Sequence, residues 1–258
     1  MTTERFFIAY KTIVYKEITR FMRIWTQTIL PAAISMALYF IIFGNLIGPR
    51  IGMMGGFSYM EFIAPGIIMM SIINNAYSNV SSSFFGARFQ RHIEEMIVAP
   101  VPNWIILAGY ISGGVLRGLI VRLIVTVIAL FFTGKPSLYN PFIVLSIVIL
   151  TSILFSLGGF LNGIFAKNFD DISIIPTFVL TPLIYLGGVF YSIDLLPRLW
   201  QSISLANPIL YMVNAFRYGI LGVSDINIYV AFIIILLFIF VLSFFSLYLL
   251  QRGTGVKT

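Results

Sequence analysis

Long runs of apolar residues without any charge set the strongest limit on how this chain can fold. One of them extends from Ile228 to Leu250 and carries no charged side chain in 23 residues. A helix needs roughly 20 apolar residues to cross the hydrocarbon core of a bilayer. Hydrophobic residues make up 59% of the chain and charged residues 10%, against about 45–50% and about 25% in soluble domains. The sequence therefore predicts an all-α integral membrane protein.

Five such runs, and a sixth that is interrupted by Arg117 and Arg122, predict six transmembrane helices in one membrane domain that covers residues 1–258. The runs lie at 24–49, 62–87, 104–132, 141–166, 172–190 and 228–250.

The stretch over residues 191–227 is apolar but interrupted by prolines and charges, and it has two interpretations. It is either a seventh span or a re-entrant pair of short extracytoplasmic helices before the last span. Its uncharged part, 199–216, is 18 residues long and contains Pro208. Because a proline breaks so short a segment, the re-entrant form is favoured.

Positive charges are distributed unevenly between the two sides that six spans define. The side of the termini holds ten: Arg5, Lys11, Lys16, Arg20, Arg23, Arg88, Arg91, Lys167, Arg252 and Lys257. The opposite side holds four: Arg50, Lys135, Arg198 and Arg217. Since cytoplasmic loops carry the excess of Lys and Arg, both termini are predicted to be cytoplasmic. The net charge of +7 is spread over loops, so membrane lipids rather than nucleic acid are the expected partners.

Residues 1–26 have the pattern of an interfacial amphipathic helix, with an ordinary juxtamembrane start as the alternative. At 100° per residue one side carries Phe6, Tyr10, Ile13, Val14 and Phe21, and the opposite side carries Arg5, Lys16, Arg20 and Arg23. This division suits a helix that lies on an anionic leaflet. Glu17 falls on the apolar side and weakens the pattern, although it can pair with Arg20 three residues on.

The loop over residues 86–103, between the second and third spans, predicts a short amphipathic helix. Phe89, Ile93, Met96 and Ile97 recur at helical spacing, and the other faces carry Arg88, Arg91, Glu94 and Glu95. Pro100 and Pro102 then end the helix. Such a helix can dock into a groove of a soluble partner and pass its motion to the membrane. The alternative is a loop helix that lies on the lipid headgroups.

Four segments of the chain resemble a known family. In order they are RHIEEMIVAPVP at 91–102, FAKNFDD at 165–171, PTFVLTPLIYLGGVFY at 176–191 and NPILYMVNAFRYG at 207–219. Together they resemble the type-2 ATP-binding-cassette (ABC) exporter permeases, and in particular the short bacterial inner-membrane transport permeases. The resemblance covers essentially the whole chain.

The resemblance implies six spans with an N-terminal elbow helix, a cytoplasmic coupling helix and re-entrant helices. It also implies a homodimer that works with two separate ABC ATPase subunits, which would bind the ATP and Mg; this chain itself would hold no cofactor. The side chains implied at the ATPase interface are Arg88, Arg91, His92, Glu94 and Glu95, with Lys167, Asp170 and Asp171 as a second, smaller contact. Arg122 matches no element of the family.

ATP hydrolysis by the chain itself is not expected. A phosphate-binding loop needs G-x-x-x-x-G-K-[ST], and the one Gly-Lys pair, Gly134-Lys135, is followed by Pro136 and preceded five residues earlier by Ala129. The sequence Ile-Ser-Gly-Gly at 111–114 lies inside a span and is interpreted as helix packing through small residues.

Polar side chains inside two spans are the candidates for a transport pathway. Arg117 and Arg122 interrupt the third span; at about 140° from each other, they cannot face the same place. Arg122 is interpreted as reaching for the outer headgroups, and Arg117 as facing an anionic group or the bundle interior. One face of the second span carries Ser71, Asn75, Ser78 and Ser82. This stripe either lines a pathway or forms hydrogen bonds between helices.

Two rival functions remain open. A lipid-modifying membrane enzyme needs clustered His, Asp or Ser at membrane depth, but the single histidine, His92, lies in a loop. An ion-coupled secondary transporter predicts acidic residues in spans and inverted repeats, and neither is visible. The favoured hypothesis is a permease subunit of an ATP-driven exporter for an amphipathic, lipid-like or drug-like substrate.

Overall fold

The computed structural model of the protein describes residues 3–99, 101–134 and 138–253, which are almost entirely helical. The helices are α1 Thr3–Arg23, α2 Trp25–Thr28, α3 Leu30–Tyr39, α4 Gly48–Ile51, α5 Tyr59–Phe89, α6 His92–Val98, α7 Asn103–Thr133, α8 Pro141–Phe165, α9 Phe169–Ile175, α10 Thr181–Tyr185, α11 Arg198–Leu205, α12 Pro208–Leu221 and α13 Ile228–Arg252. The prediction of an all-α chain is confirmed, apart from an antiparallel hairpin of β1 Met53–Met54 and β2 Phe57–Ser58.

Four helical segments are long and apolar enough to cross a membrane. They are Trp25–Ile51, which runs through α2, α3 and α4, and the single helices α7, α8 and α13. Their limits lie within a few residues of four predicted spans. The six-span count itself stays a prediction, because the other two spans are less apolar or shorter. α5 has 31 residues but carries a run of Ser and Asn, and the helical stretch over residues 169–185 is about 26 Å long.

Two of the predicted spans contain a widened helical turn. Residues Phe40–Ile47 form a π-helix between α3 and α4, and Pro176–Leu180 form another between α9 and α10. The second begins at a proline, which has no N–H to donate to the preceding turn. There the hydroxyl of Thr181 donates to the carbonyl of Pro176 at 2.9 Å. The chain thus stays helical from 169 to 185 despite Pro176 and Pro182.

Two buried apolar clusters define the two ends of the bundle. One contains residues from α1 and α6, the last turns of α5, α8 and α13, and the first turns of α7. The other contains the first half of α5, the second half of α7, the first halves of α8 and α13, and α12. α1 and the last turns of α13 therefore lie at the same end as α6, which we call the loop end.

The predicted re-entrant region consists of two short helices at the opposite end. The chain breaks at Asn207, whose side-chain oxygen accepts from the N–H of Ile209 at 3.0 Å and whose amide donates to the carbonyl of Leu183 at 2.6 Å. Pro208 then occupies the first turn of α12 rather than its middle, where a missing N–H costs nothing. At 14 residues, α12 is about 21 Å long, too short to cross a core of about 30 Å.

Arg217 anchors this short helix inside the bundle. Its side chain is fully buried and donates to the carbonyls of Gly188 at 2.6 Å and Phe62 at 3.3 Å. The guanidinium also lies over the ring of Phe62 at 3.9 Å. These contacts join α12 to α5 and to the turn after α10. Arg217, which the charge count treats as a loop residue, therefore has a structural role.

α5 lies at the centre of the bundle and packs closely against α8 through a glycine. A Cβ added at Gly159 would lie 2.3 Å from the carbonyl oxygen of Tyr77, a contact with rigid backbone. A Cβ at the preceding Gly158 would meet only the Tyr77 ring, at 3.5 Å. A methyl group at Gly159 would therefore clash with the backbone of α5, whereas a methyl group at Gly158 would make an ordinary van der Waals contact.

We expect Gly159→Ala to lower the free energy of unfolding by about 1–3 kcal/mol, because α5 and α8 must move apart. Gly158→Ala, the matched control, should leave the unfolding midpoint close to that of the parent protein. The measurement is thermal unfolding of the full chain in detergent. Equal losses for both variants would contradict the close approach described above.

Candidate coupling surface and buried polar network

The short helix predicted in the loop over residues 86–103 is present as α6, His92–Val98, immediately after α5, and its coupling role stays a prediction. A sharp turn joins the two helices, since Arg91 adopts a positive φ of 62°. Ile93 is buried among the apolar residues of the loop end, whereas Arg91, His92 and Glu95 are exposed. Pro100 and the side chains of Glu94 and Ile97 lie outside the described residues. α6 is therefore held by Ile93 and the half-buried Met96, and its described polar side chains point outward.

The second predicted contact, over residues 167–171, is the start of α9. Asn168 and Asp171 form a capping box: the N–H of Asp171 donates to the Asn168 side chain at 2.9 Å, and the Asp171 carboxylate accepts from the N–H of Lys167 at 2.7 Å. Asp171 thus has a structural task in starting the helix. Lys167 and Asp170 are exposed and available to a partner.

An aromatic cluster joins these two segments. The ring of Phe169 meets the ring of Phe85 at 5.0 Å and that of Phe89 at 5.2 Å, both edge to face. Phe89 is nevertheless 62% exposed and Phe169 61%. We call the exposed side chains of these two segments, which meet at Phe89 and Phe169, the loop surface: Phe89, Arg91, His92, Glu95, Val98, Lys167, Phe169 and Asp170.

Arg88 lies behind the loop surface rather than on it. Its guanidinium donates to the carbonyls of Gly163, at 3.0 Å, Ile164 and Ala166 at the end of α8. These are carbonyls that a helix end leaves without an intrahelical partner. Arg88 therefore fastens the end of α5 to the end of α8, and its direct contact with an ATPase stays a prediction.

Glu17 of α1 lies at the centre of a buried polar network. Its carboxylate is fully buried and accepts from the hydroxyl of Ser83 at 2.6 Å and from Nη2 of Arg20 at 3.2 Å. Nη2 of Arg20 also donates to the side-chain oxygen of Asn79 at 2.8 Å. The sequence-based pairing of Glu17 with Arg20 is confirmed, and the network ties α1 to α5.

Two glycines on α7 allow α1 to pack closely against α7. A Cβ at Gly109 would lie 2.5 Å from Ile13, and one at Gly113 would lie 2.6 Å from Glu17. The two glycines are one turn apart, as are the two residues that rest on them. Part of the apolar side of α1 therefore packs against α7 rather than against lipid. The prediction that the sequence at 111–114 serves helix packing through small residues is confirmed at Gly113.

Arg117 of α7 extends the network towards the first span. Its Nη2 donates to the side-chain oxygen of Asn75 at 2.9 Å and to the carbonyl of Thr28 at 3.2 Å. A weaker contact of 3.4 Å joins Nη1 to Asn79. The network thus holds two guanidinium groups, Arg20 and Arg117, and one carboxylate, with neutral amides shared between them. A role for Arg117 in a pathway stays a prediction.

The polar stripe of the second span divides into an inner and an outer half. Ser71 and Asn75 are buried, and the side-chain oxygen of Asn75 accepts a hydrogen bond from Arg117. Ser78 is half-buried and Ser82 exposed. The outer pair borders a groove of about 380 Å³ between α5 and the helix over 169–185, whose other lining residues are Tyr77, Phe169, Ile172, Ser173, Pro176 and Thr177. The inner half therefore forms hydrogen bonds between helices, and a pathway along the outer half stays a prediction.

Arg122 faces away from Arg117, in agreement with their angular separation. It borders a mostly apolar cavity of about 220 Å³ that lies between α5, α7, α8 and α12. Glu61 and Thr126 are among the polar residues that line the same cavity. Within the described residues no group of His, Asp or Glu side chains is arranged to hold a metal ion.

Sequence reasoning missed the central position of Glu17 and the contributions of Asn79 and Ser83. The available signal was a single acid on the apolar side of an amphipathic helix with an arginine three residues later. Ser83, the partner of Glu17, is 66 residues away in the chain, and Asn79, the partner of Arg20, is 59 residues away, so no local pattern identifies them.

Comparison with known proteins gives consistent matches along the chain. A family model described as "ABC-2 type transporter" matches residues 8–221. The chain is 58% identical over 253 residues to the inner membrane transport permease YadH of Escherichia coli strain K12, with 98% of each chain covered. It is 23% identical over 210 residues to nodulation protein J of Rhizobium leguminosarum bv. viciae, with 81% of each chain covered.

Replacement of Glu17 should show how far the buried network depends on its one carboxylate. We expect Glu17→Gln to lower the free energy of unfolding by about 3 kcal/mol, because Arg20 loses its ionic partner in a buried site. Glu4→Gln removes the same charge from an exposed position of the same helix and should have little effect. Chemical unfolding of both variants in detergent measures the difference, and similar stabilities would contradict this account of α1.

Proposed function

Because the chain belongs to the ABC-2 type transporter family, we propose that it is the permease subunit of an ATP-driven exporter. The energy comes from separate ABC ATPase subunits, which bind ATP and Mg. The chain is a multi-pass membrane protein with a transport role and, like its 58% identical relative, it belongs to the inner membrane.

The observation that carries the proposal is the loop surface. It combines exposed aromatic and aliphatic side chains with charges of both signs, the composition of a protein-binding site rather than of a solvated loop. Val98 is 86% exposed beside the charged residues Arg91 and Glu95. The partner assigned to this surface is the ATPase.

The attachment of the loop surface suits it to transmit a force. α6 follows α5 after a two-residue turn, and α5 is a continuous helix of 31 residues, about 46 Å long. Arg88 fastens the end of α5 to α8, and Phe169 links it to α9. A movement of the ATPases would therefore displace α5, α8 and α9 together instead of deforming a loop.

The proposed topology has six spans with both termini in the cytoplasm. Its support is the charge distribution: at the loop end lie Arg5, Lys11, Lys16, Arg20, Arg23, Arg88, Arg91, Lys167 and Arg252, and at the other end lie Arg50, Arg198 and Arg217. The positive-inside rule assigns the richer end to the cytoplasm. Arg117 and Arg122 lie within α7, and the other two cations, Lys135 and Lys257, lie outside the described residues.

The substrate pathway is proposed along the groove at Ser78 and Ser82, at the interface with a second copy of the chain. Serine hydroxyls are costly against lipid and require a wet or protein-covered surface. Beside them the helix over 169–185 exposes large apolar side chains, including Phe178 at 74%. A homodimer would cover both surfaces, and a groove of this mixed character suits an amphipathic, lipid-like or drug-like substrate.

A charge reversal on the loop surface tests the assignment of the ATPase partner. The full chain is co-expressed with a candidate ABC ATPase from the same genome, and Glu95→Arg is compared with the parent protein. We expect Glu95→Arg to weaken co-purification of the ATPase by about tenfold and to reduce the mutual effect on ATP hydrolysis, because a like charge replaces a complementary one.

Asp194→Arg is the matched control, since Asp194 is an exposed acid at the opposite end of the bundle. It should leave co-purification unchanged. Equal loss for both variants, or retention of the ATPase by Glu95→Arg, would contradict the assignment. Transport by the permease alone in vesicles with an ion gradient would instead favour the secondary-transporter alternative.

A further inference from the structure

A basic cavity of about 570 Å³ lies between α1 and the last turns of α5, beside the loop surface, with which it shares His92. Three cations of α1 line it, together with residues from the end of α5 and the start of α6. Those that matter most here are Lys16, Arg20, Arg23, Ser82, Gly86 and His92. None of the described residues that line the cavity is acidic.

The positive charge of this basic cavity is only partly balanced by the protein. Arg20 uses one terminal nitrogen, Nη2, for its bonds to Glu17 and Asn79, and Nη1 makes no hydrogen bond within the described residues. Lys16 lies over the ring of Tyr110 at 5.9 Å, and Arg23 is exposed. Cations at i, i+4 and i+7 of one helix face repel each other. An anion bound between them would relieve that repulsion.

Gly86 leaves space in the wall of the basic cavity. A Cβ added there would meet nothing within 4 Å, whereas at Gly66 of the same helix it would lie 2.4 Å from the backbone of Val189. Close helix packing thus accounts for Gly66 but not for Gly86. A glycine inside a helix lowers its stability, and here it gives a ligand access to the backbone of α5.

The basic cavity adjoins the groove described above, since Ser82 lines both spaces. Beyond Ser82 the groove is bordered by Tyr77, Ile172 and Pro176 together with the hydroxyl side chains Ser173 and Thr177. A charged compartment beside a groove of mixed character matches a molecule with an anionic head and a hydrocarbon tail.

We propose that the basic cavity binds the phosphate-type headgroup of an anionic amphiphile in the adjacent leaflet, with the hydrocarbon chain in the groove past Ser82. Arg and Lys side chains recognise phosphate through charge-assisted hydrogen bonds, and cations near a bilayer surface attract anionic lipids. Only the description of that leaflet as cytoplasmic depends on the proposed function. The binding itself requires neither ATP nor an ATPase.

Binding of three probes to the full chain in a neutral detergent tests this site. The probes are phosphatidylglycerol, uncharged diacylglycerol and inorganic phosphate, and the readouts are native mass spectrometry and thermal stabilisation. We expect phosphatidylglycerol to bind with saturation and diacylglycerol to bind at least about tenfold more weakly. If inorganic phosphate bound as tightly as the lipid, the site would be one for a free anion, and the proposal would be overturned.

Matched charge variants separate a built site from general attraction to the surface. Lys16→Gln with Arg23→Gln removes two cations that line the basic cavity and should weaken phosphatidylglycerol binding about tenfold. Arg5→Gln with Lys11→Gln removes two cations of the same helix that do not line it, and should change binding less than about twofold. Equal weakening by both pairs would overturn the proposal.

Gly86→Leu provides an independent steric test. The leucine would extend into the basic cavity without removing a charge, so binding should fall as much as in the charge variant. Arg20 is left intact throughout because it belongs to the buried network. Unchanged lipid binding by a folded Gly86→Leu variant would also overturn the proposal, and failure of ATPase coupling would leave these binding results unaffected.

Discussion

The carboxylate of Glu17 is the interaction on which the arrangement of the loop end depends. Bilayer and protein interior supply no water to solvate an arginine, so a guanidinium there must find acceptors within the protein. Glu17 and the oxygens of Asn79 provide them for Arg20, and Asn75 provides one for Arg117. The acid reaches this position because Gly109 and Gly113 admit α1 against α7. Charge and close packing thus fix α1 on the bundle together.

α5 connects every feature assigned a function. Its inner face supplies Asn75, Asn79 and Ser83 to the network, and its outer face presents Ser78 and Ser82 to the groove. Its last turn leads into the loop surface. So many polar groups are tolerated in one long apolar helix because α7 and α8 cover most of its length. The uncovered hydroxyls of Ser78 and Ser82 would contact water or substrate. This also explains why α5 is less apolar than the four evident spans.

Sequence patterns predicted the parts of the structure that depend on local chemistry. Long apolar runs located α7, α8 and α13, prolines located the break before α12, and helical spacing located α6. The division of one polar stripe into inner and outer halves could not be predicted, since it depends on which neighbour covers each turn of α5. The contact of Phe169 with Phe89 could not be predicted either, because it joins the end of α5 to the start of α9, 80 residues further along the chain. Long-range contacts of this kind leave no local periodicity.

The proposed binding and energy sites would be coupled through geometry alone. The basic cavity has one wall on α1 and another on α5, and the loop surface continues directly from α5. If an ATPase turns the end of α5 about the contact between Ser83 and Glu17, Gly86 moves relative to Lys16 and Arg23, which stay with α1. The distance between the two walls then changes without any separate gate. A ligand that bridges the walls resists that displacement, so by reciprocity the ATPases would sense whether the basic cavity is occupied.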